Sequence, residues 1–77
     1  MSFTIYGKPN CSGCQQAKQL LEQNNIEYIY LSFGKDFDML KLFDVAPNSR
    51  SFPVIFDGDT LIGGLVELKE VLVNQAH

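Results

Sequence analysis

The chain has 77 residues, 45% of them apolar, and its six basic and nine acidic residues give a formal net charge of −3. This length predicts one domain, residues 1–77, whose apolar content argues against disorder, and the acidic balance argues against a nucleic-acid or membrane partner. No apolar run approaches the roughly 20 residues that cross a bilayer and no signal segment starts the chain, so we expect a cytoplasmic protein, taken to be a monomer.

The first half of the chain predicts a β-α-β unit. Residues 3–6 are β-prone and are followed by turn formers. Residues 12–24 predict a helix, because apolar side chains recur there at i, i+3 and i+4 spacing. The stripe consists of Cys14, Ala17, Lys18, Leu20 and Leu21. Asn24 and Asn25 predict a left-handed stop to this helix, and residues 26–31, rich in β-branched and aromatic side chains, predict a second strand.

The second half predicts a helix, a hairpin and a last helix. Asp36 is the expected cap of a helix that ends near Phe43. The apolar face of that helix is predicted to hold Phe37, Met39, Leu40, Leu42 and Phe43. Residues 54–56 and 60–62 flank an Asp-Gly-Asp turn and predict a β-hairpin, and residues 65–74 predict the last helix. The buried side of the last helix is predicted to hold Leu65, Leu68, Val71 and Leu72. The order βαβαββα predicts an α/β fold, a four-stranded mixed sheet flanked by three helices.

The two cysteines stand where the loop after the first strand passes into a helix. In a reducing compartment a close cysteine pair is more often catalytic or metal-binding than structural. Unpaired N–H groups and the helix dipole favour a thiolate at Cys11, and Lys8 adds to this effect. An i, i+3 pair also lies close to the roughly 5.5 Å between α-carbons that a disulfide requires. Because Cys14 falls on the core-facing stripe, we predict Cys11 as the exposed nucleophile and Cys14 as the resolving thiol of a redox-active centre.

Two other interpretations of the cysteines are weaker. Two incidental buried cysteines would not explain their place at a helix start. A structural zinc ion needs four ligands, and the only other soft ligand is His77 at the end of the sequence, so we expect no metal site.

Three segments, in this order, resemble the glutaredoxin family. Residues 6–14, Tyr-Gly-Lys-Pro-Asn-Cys-Ser-Gly-Cys, are similar to its active-site segment. Residues 50–53, Arg-Ser-Phe-Pro, are similar to its Thr-Val-Pro loop, and residues 63–68, Gly-Gly-Leu-Val-Glu-Leu, to its Gly-Gly-x-x-Asp-Leu segment. The resemblance covers residues 5–68. It implies a thioredoxin-like fold with Pro53 in cis, and a thiol–disulfide oxidoreductase that uses glutathione to reduce protein disulfides or glutathione mixed disulfides.

The resemblance also implies a glutathione site. Phe52 would present its backbone beside Cys11 to an extended peptide such as glutathione. Lys8 and Arg50 would hold the glycyl carboxylate. The γ-glutamyl carboxylate would accept N–H groups at the start of the last helix, where an anion is favoured, and Glu67 would face the amino group. The implied glutathione-binding residues are Lys8, Gly13, Phe52, Pro53, Gly64, Leu65, Val66 and Glu67.

Several positions depart from the family pattern. Ser12 replaces its usual proline, Gly13 its usual aromatic residue and Val66 a small hydroxylic residue, while Glu67 is one methylene longer than its aspartate. Two alternatives follow from related branches. One is an electron donor recharged by a flavoprotein thioredoxin reductase, and the other a dimer that binds a [2Fe-2S] cluster through Cys11 and two glutathiones. Ribonucleotide reductase is a protein substrate that the resemblance alone suggests. The sequence lacks the Trp that precedes the first active-site cysteine in thioredoxins.

Overall fold

The computed structural model describes residues 2–49 and 51–75, with side chains described through Val73. Its elements follow the predicted order of strands and helices. They are β1 (Phe3–Gly7), α1 (Ser12–Gln23), β2 (Tyr28–Ser32), α2 (Met39–Val45), β3 (Val54–Asp57), β4 (Thr60–Gly63) and α3 (Leu65–Gln75). No helix within the described ranges has both the length and the apolar content to span a bilayer.

The four strands form one mixed sheet in the order β2-β1-β3-β4. β1 pairs with β2 in parallel, with Ile5 beside Tyr30, and with β3 antiparallel, with Ile5 opposite Ile55. β3 and β4 form the predicted hairpin, whose turn contains Gly58 at a φ of 61°. The parallel pair requires a crossover, which α1 supplies. The predicted four-stranded mixed sheet with three helices is therefore confirmed.

The core has two layers because side chains alternate across the sheet. Phe3 and Ile5 point to the face that α1 and α3 cover, whereas Tyr6 points to the face that α2 covers. The first layer consists of Phe3, Ile5, Ala17, Leu21, Ile55, Leu68 and Leu72. The second layer consists of Tyr6, Phe37, Leu42, Ala46, Val54 and Phe56. Of the predicted inner faces, Ala17 and Leu21 of α1 and Leu68 and Leu72 of α3 lie in the first layer. Leu20 and Leu65 pack against it.

The start of β2 differs from the prediction by two residues. α1 ends at Gln23, and Asn25 takes the predicted left-handed conformation with a φ of 56°. The Ile26 N–H then donates to the Leu21 carbonyl at 2.9 Å. Because this bond ties Ile26 to the end of the helix, pairing with β1 begins only at Tyr28.

The predicted cap and apolar face of α2 were wrong. Asp38, not Asp36, caps the helix, and its Oδ1 accepts from the Lys41 N–H at 3.0 Å. Asp36 accepts instead from the Ser32 N–H at 2.8 Å, in the turn that follows β2. Phe37 therefore lies before the helix, where it is buried in the second layer.

The buried side of α2 also differs from the predicted apolar face. Leu42 is buried, whereas Leu40 is 79% exposed and Phe43 52% exposed. Met39, at the first helical position, is also exposed. The apolar side chains of α2 are thus distributed around the helix and not gathered on one face.

Candidate active site

Cys11 is the N-cap of α1. Its backbone is extended, and its Sγ accepts a hydrogen bond from the Cys14 N–H at 3.3 Å. An N-cap side chain normally accepts from the N–H three residues on, so the sulfur occupies the place of a capping oxygen. Asn10, with a φ of 58°, turns the chain into this position. The helix end therefore offers an N–H group and a partial positive charge to the Cys11 sulfur.

The two sulfurs differ in exposure. Cys11 is half-buried, whereas Cys14 lies on the inner side of α1 with no exposed surface. Burial raises the pKa of the Cys14 thiol, and its hydrogen bond with Cys11 raises it further. The Lys8 backbone and the Tyr30 side chain act in the opposite direction and lower the pKa of Cys14. Cys14 therefore holds its proton at neutral pH, and Cys11 is the sulfur that solvent and substrates can reach.

The loop before β3 lies directly beside Cys11. The peptide bond between Phe52 and Pro53 is cis, as the family resemblance implied. The Cys11 thiol points at the Phe52 carbonyl, with 4.0 Å between Sγ and oxygen. A Cβ at Gly13 would lie 3.3 Å from Pro53 Cδ, so glycine lets the first turn of α1 approach the proline closely. These four residues, taken from two distant segments, form one side of the site.

Aromatic rings pack against the loop that contains Phe52. The Phe52 ring packs against Phe33 and Phe37, with ring centroids 5.9 and 6.2 Å away. Lys8 Nζ lies over the same ring, 5.7 Å from its centroid. The structure thus brings Lys8 to the Phe52 side of the site, where its ammonium group is exposed.

The start of α3 forms the other side. A Cβ at Gly64 would lie 3.5 Å from the Pro53 carbonyl, which places the helix start against the loop. Glu67 folds back on its own helix, and its Oε1 accepts from the Gly64 N–H at 2.7 Å. Leu65 is half-buried and Val66 is 62% exposed. Lys8, Gly13 and Gly64 therefore all lie close to the loop of Phe52 and Pro53. The binding roles of the implied glutathione-binding residues stay predictions. Arg50 and His77 lie outside the described residues.

Tyr30 is a neighbour of the cysteines that the sequence did not reveal. Burial, followed by the charge of Cys14, raises the pKa of Tyr30 to about 12. Lys18 Nζ lies 4.4 Å from the centroid of its ring. The sequence feature that reflects this packing is Gly7, because a Cβ at that position would overlap the Tyr30 ring and hydroxyl. Within residues 2–49 and 51–75, no three His, Cys, Asp or Glu side chains converge to hold a metal ion.

A parallel β-α-β unit followed by a β-hairpin and a helix, with two cysteines three apart at the start of the first helix, defines the thioredoxin-like thiol–disulfide oxidoreductases. Within this class, the glutaredoxin family model matches residues 3–62. The chain belongs to the glutaredoxin family. The predicted family, fold and thiol–disulfide oxidoreductase class are thereby confirmed.

Solved glutaredoxins have the same fold. Glutaredoxin 1 from Francisella tularensis, complexed with cacodylate, is 29% identical with a TM-score of 0.77, over 97% of this chain and 95% of that one. The buckwheat glutaredoxin–glutathione complex is 22% identical with a TM-score of 0.80, over 95% of this chain and 69% of that one. The second likeness concerns the fold alone.

One curated relative is a longer protein. Hybrid peroxiredoxin hyPrx5 from Haemophilus influenzae is 30% identical over 69 residues, which is 90% of this chain. The chain spans 28% of the length of that relative. The similarity therefore concerns one part of the hybrid protein.

Proposed function

We propose that the protein is a glutathione-dependent reductase of protein disulfides and glutathione mixed disulfides, working in the cytoplasm through Cys11 and Cys14. The observation that carries this proposal is the placement of the two sulfurs. Cys11 caps α1 and is reachable, whereas Cys14 is buried one turn below it and donates its N–H to the Cys11 sulfur. Cys11 can therefore react with a substrate, and Cys14 can react with the mixed disulfide that results.

The chemistry follows from this arrangement. The Cys11 thiolate attacks a substrate disulfide, forms a mixed disulfide and releases one substrate sulfur as a thiolate. Cys14, after losing its proton, attacks Cys11 Sγ, so that the Cys11–Cys14 disulfide forms and the second substrate sulfur leaves. Two molecules of glutathione then reduce this disulfide, leave as oxidised glutathione and restore both thiols. Where the substrate is a glutathione mixed disulfide, Cys11 and one further glutathione suffice.

The groups around Cys11 support glutathione as the reductant. The Phe52 carbonyl lies beside the nucleophile, and an extended peptide can pair with backbone groups placed in this way. Lys8 supplies a cation on that side, and the start of α3 supplies helix N–H groups on the other. Glutathione is a short peptide with a carboxylate at each end, which matches these two features. The buckwheat glutaredoxin of the same fold is complexed with glutathione.

One contact favours a second candidate, an electron donor recharged by a thioredoxin reductase. The Glu67 carboxylate bonds to the Gly64 N–H, and so brings a negative charge to the end of α3 where a γ-glutamyl carboxylate would lie. Two anions at one helix start repel each other. If this contact persists, glutathione binds weakly and a flavoprotein is the more effective reductant.

The test measures turnover of a glutathione mixed disulfide with glutathione, glutathione reductase and NADPH. We expect turnover by the wild type, none by Cys11→Ser, and partial turnover by Cys14→Ser, because a mixed disulfide needs only the nucleophile. With a protein disulfide as substrate, Cys14→Ser should lose activity too, since the mixed disulfide with the protein cannot be resolved.

Two results would contradict the proposal. Wild-type turnover with thioredoxin reductase and NADPH, and none with glutathione, would establish the second candidate. Full activity of Cys11→Ser would remove Cys11 from the nucleophile's role. Anaerobic reconstitution with iron and sulfide, followed by a visible absorbance spectrum, tests the [2Fe-2S] dimer in the same preparation.

A further inference from the structure

We propose that Lys8, Phe33 and Phe52 form a docking surface for protein substrates. This surface selects an extended segment that carries an acidic side chain on one side of its disulfide cysteine. The surface deepens the proposed function and rests on it, since it chooses the protein disulfides that Cys11 attacks. It acts in the first step of the reaction, before any glutathione is consumed.

Three segments that are distant in sequence build the docking surface. Lys8 comes from the loop between β1 and α1, Phe33 directly follows β2, and Phe52 lies in the loop before β3. The Phe33 N–H donates to the Gly7 carbonyl at 2.8 Å, which ties the end of β2 to the residue before Lys8. The ring centroids of Phe33 and Phe52 are 5.9 Å apart. Backbone pairing and ring packing therefore fix the place of the surface in the fold.

The two rings of the surface are only half-buried. Phe37 packs against both of them from the buried second layer. Phe33 and Phe52 keep part of their area exposed, and such area can pack against the apolar part of a partner. The Phe52 carbonyl lies 4.0 Å from Cys11 Sγ, so the surface begins at the nucleophile. An extended segment whose cysteine reaches Cys11 can therefore pack along these rings.

Lys8 gives the surface its charge. Its Nζ lies 5.7 Å from the centroid of the Phe52 ring, a cation–π distance, and the side chain is exposed. An ammonium group has three donors, so it can bind a carboxylate while it stays over the ring. Two residues of an extended chain span about 7 Å. An acidic side chain one or two residues from the substrate cysteine can therefore reach Lys8.

The opposite side of Cys11 carries the opposite charge. At the start of α3 the Glu67 carboxylate accepts the Gly64 N–H at 2.7 Å. The site thus presents a cation beside Phe52 and an anion beside Gly64, and a substrate segment can match both charges in one direction only. Because the whole chain has a net charge of −3, its overall charge repels an acidic segment. Any preference for acidic substrates must therefore come from local contact with Lys8.

The experiment uses short peptides whose single cysteine forms a disulfide with the aromatic thiol of Ellman's reagent. All proteins carry Cys14→Ser, so that the reaction stops after the first step. The Cys11 thiolate attacks the peptide sulfur, the peptide–aryl disulfide bond breaks, and the aryl sulfur leaves as a coloured thiolate. Asp is placed in turn at each of the two positions before and after the cysteine. The matched peptide has Asn at the same position, so the ratio of the two rates reports the charge alone.

With native Lys8, we expect the Asp peptide to react about threefold to fivefold faster than the Asn peptide at low salt, as for an exposed ion pair. This gain should occur on one side of the cysteine only. Lys8→Gln should remove it and Lys8→Glu should reverse it. Salt at 1 M should also remove it, since the screening length falls to about 3 Å. Phe52→Leu should weaken it, because the ammonium group loses the ring that positions it. Any effect of Lys8 on the Cys11 thiolate cancels in the ratio of rates.

Lys69→Gln is the matched control. Lys69 is an exposed cation of α3, so this change removes the same charge from another surface and should leave the preference intact. Three results would overturn the docking surface: no preference with native Lys8, a preference that persists in Lys8→Gln, or an equal loss in Lys69→Gln. An equal gain on both sides of the cysteine would also overturn it, because it would indicate long-range attraction in place of contact.

Failure of the proposed function gives different results. If no peptide released the aryl thiolate, Cys11 would not be the nucleophile, and the docking surface would be refuted with it. If the preference followed Lys8 while glutathione failed to sustain turnover, the docking surface would be supported and only the reductant would change. The peptide assay contains no glutathione, so the two outcomes are measured independently.

Discussion

The sulfur of Cys11 takes the place that a serine or aspartate oxygen commonly occupies at a helix start. This placement gives Cys11 both a structural and a chemical position, because the sulfur that caps the helix is also the exposed sulfur of the pair. Cys14 supplies the N–H that this sulfur accepts, from the buried side of the same turn. Nucleophile and resolving thiol are therefore fixed relative to each other by the first turn of α1.

Glu67 offers a test of the other helix start in the site. It stands three residues after Gly64 and accepts its N–H at 2.7 Å, so we expect Glu67→Ala to lower the free energy of unfolding by about 0.5–1 kcal/mol. The bond is exposed, and water replaces part of it. Glu67→Gln keeps an acceptor oxygen and should lose less. The measurement is the urea midpoint of unfolding.

Glu70 provides the control for this change. It is an exposed glutamate on the next turn of α3, so Glu70→Ala should stay within about 0.5 kcal/mol of the wild type. An equal loss in both alanine variants would mean that the Glu67 contact adds nothing to the stability of α3.

Some members of the site could be predicted from the sequence and others could not. Cys11 and Cys14 were recognisable because their reactivity depends on local features, namely a turn, a helix start and a three-residue spacing. Tyr30 was not, because its position beside Gly7 depends on β2 pairing with β1 in one register. Glu67 was expected at the start of the last helix, where it lies. The sequence did not predict that its carboxylate accepts the Gly64 N–H.

The start of α2 shows why helix boundaries are difficult to predict from sequence. Asp36 and Asp38 both have the side chain of a good cap, and both accept a backbone N–H in the structure. Phe37 lies between them and is buried against Tyr6. This packing keeps Phe37 outside the helix, so that Asp38 becomes the cap. Long-range packing of one aromatic ring therefore decided a local boundary.

The cap of α2 can be tested directly. Asp38→Ala should lower the free energy of unfolding by about 1 kcal/mol, because the Lys41 N–H loses its acceptor at the helix start. Asp44→Ala is the control on the same helix. Asp44 is exposed near the C-terminal end, where a negative charge is unfavourable, so its removal should be neutral or slightly stabilising. Urea unfolding that gave the reverse order would contradict this account of α2.

The whole fold is stabilised by two layers of buried side chains, one on each face of the sheet. Three of the four strands contribute to positioning the site, since β1 leads into Cys11, β3 follows Pro53 and β2 carries Tyr30. The site is therefore assembled from segments far apart in sequence, although its two reactive atoms are three residues apart.

The protonation of three groups ties the stability of the whole fold to pH. Burial raises the pKa of Cys14 above its ordinary value of 9.0. A hydrogen bond to Glu22 raises the pKa of Tyr28 to about 12, and burial raises that of Tyr30 to about 12, both from 10.0. Above these ordinary values the unfolded chain binds fewer protons than the folded one, so the free energy of unfolding falls as pH rises.

The reduced and oxidised forms should therefore lose stability at different pH. In the reduced protein the fall should begin near pH 9, where Cys14 of the unfolded chain ionises, and should steepen above pH 10, where the tyrosines ionise. The oxidised protein has no Cys14 thiol, so its fall should begin about one pH unit later. Urea midpoints of both forms between pH 7 and 11 measure this difference. Reduced Cys14→Ser keeps the Cys11 thiol and should follow the oxidised protein, which would assign the earlier fall to Cys14. Parallel curves for all three would show that the buried thiol does not couple folding to pH.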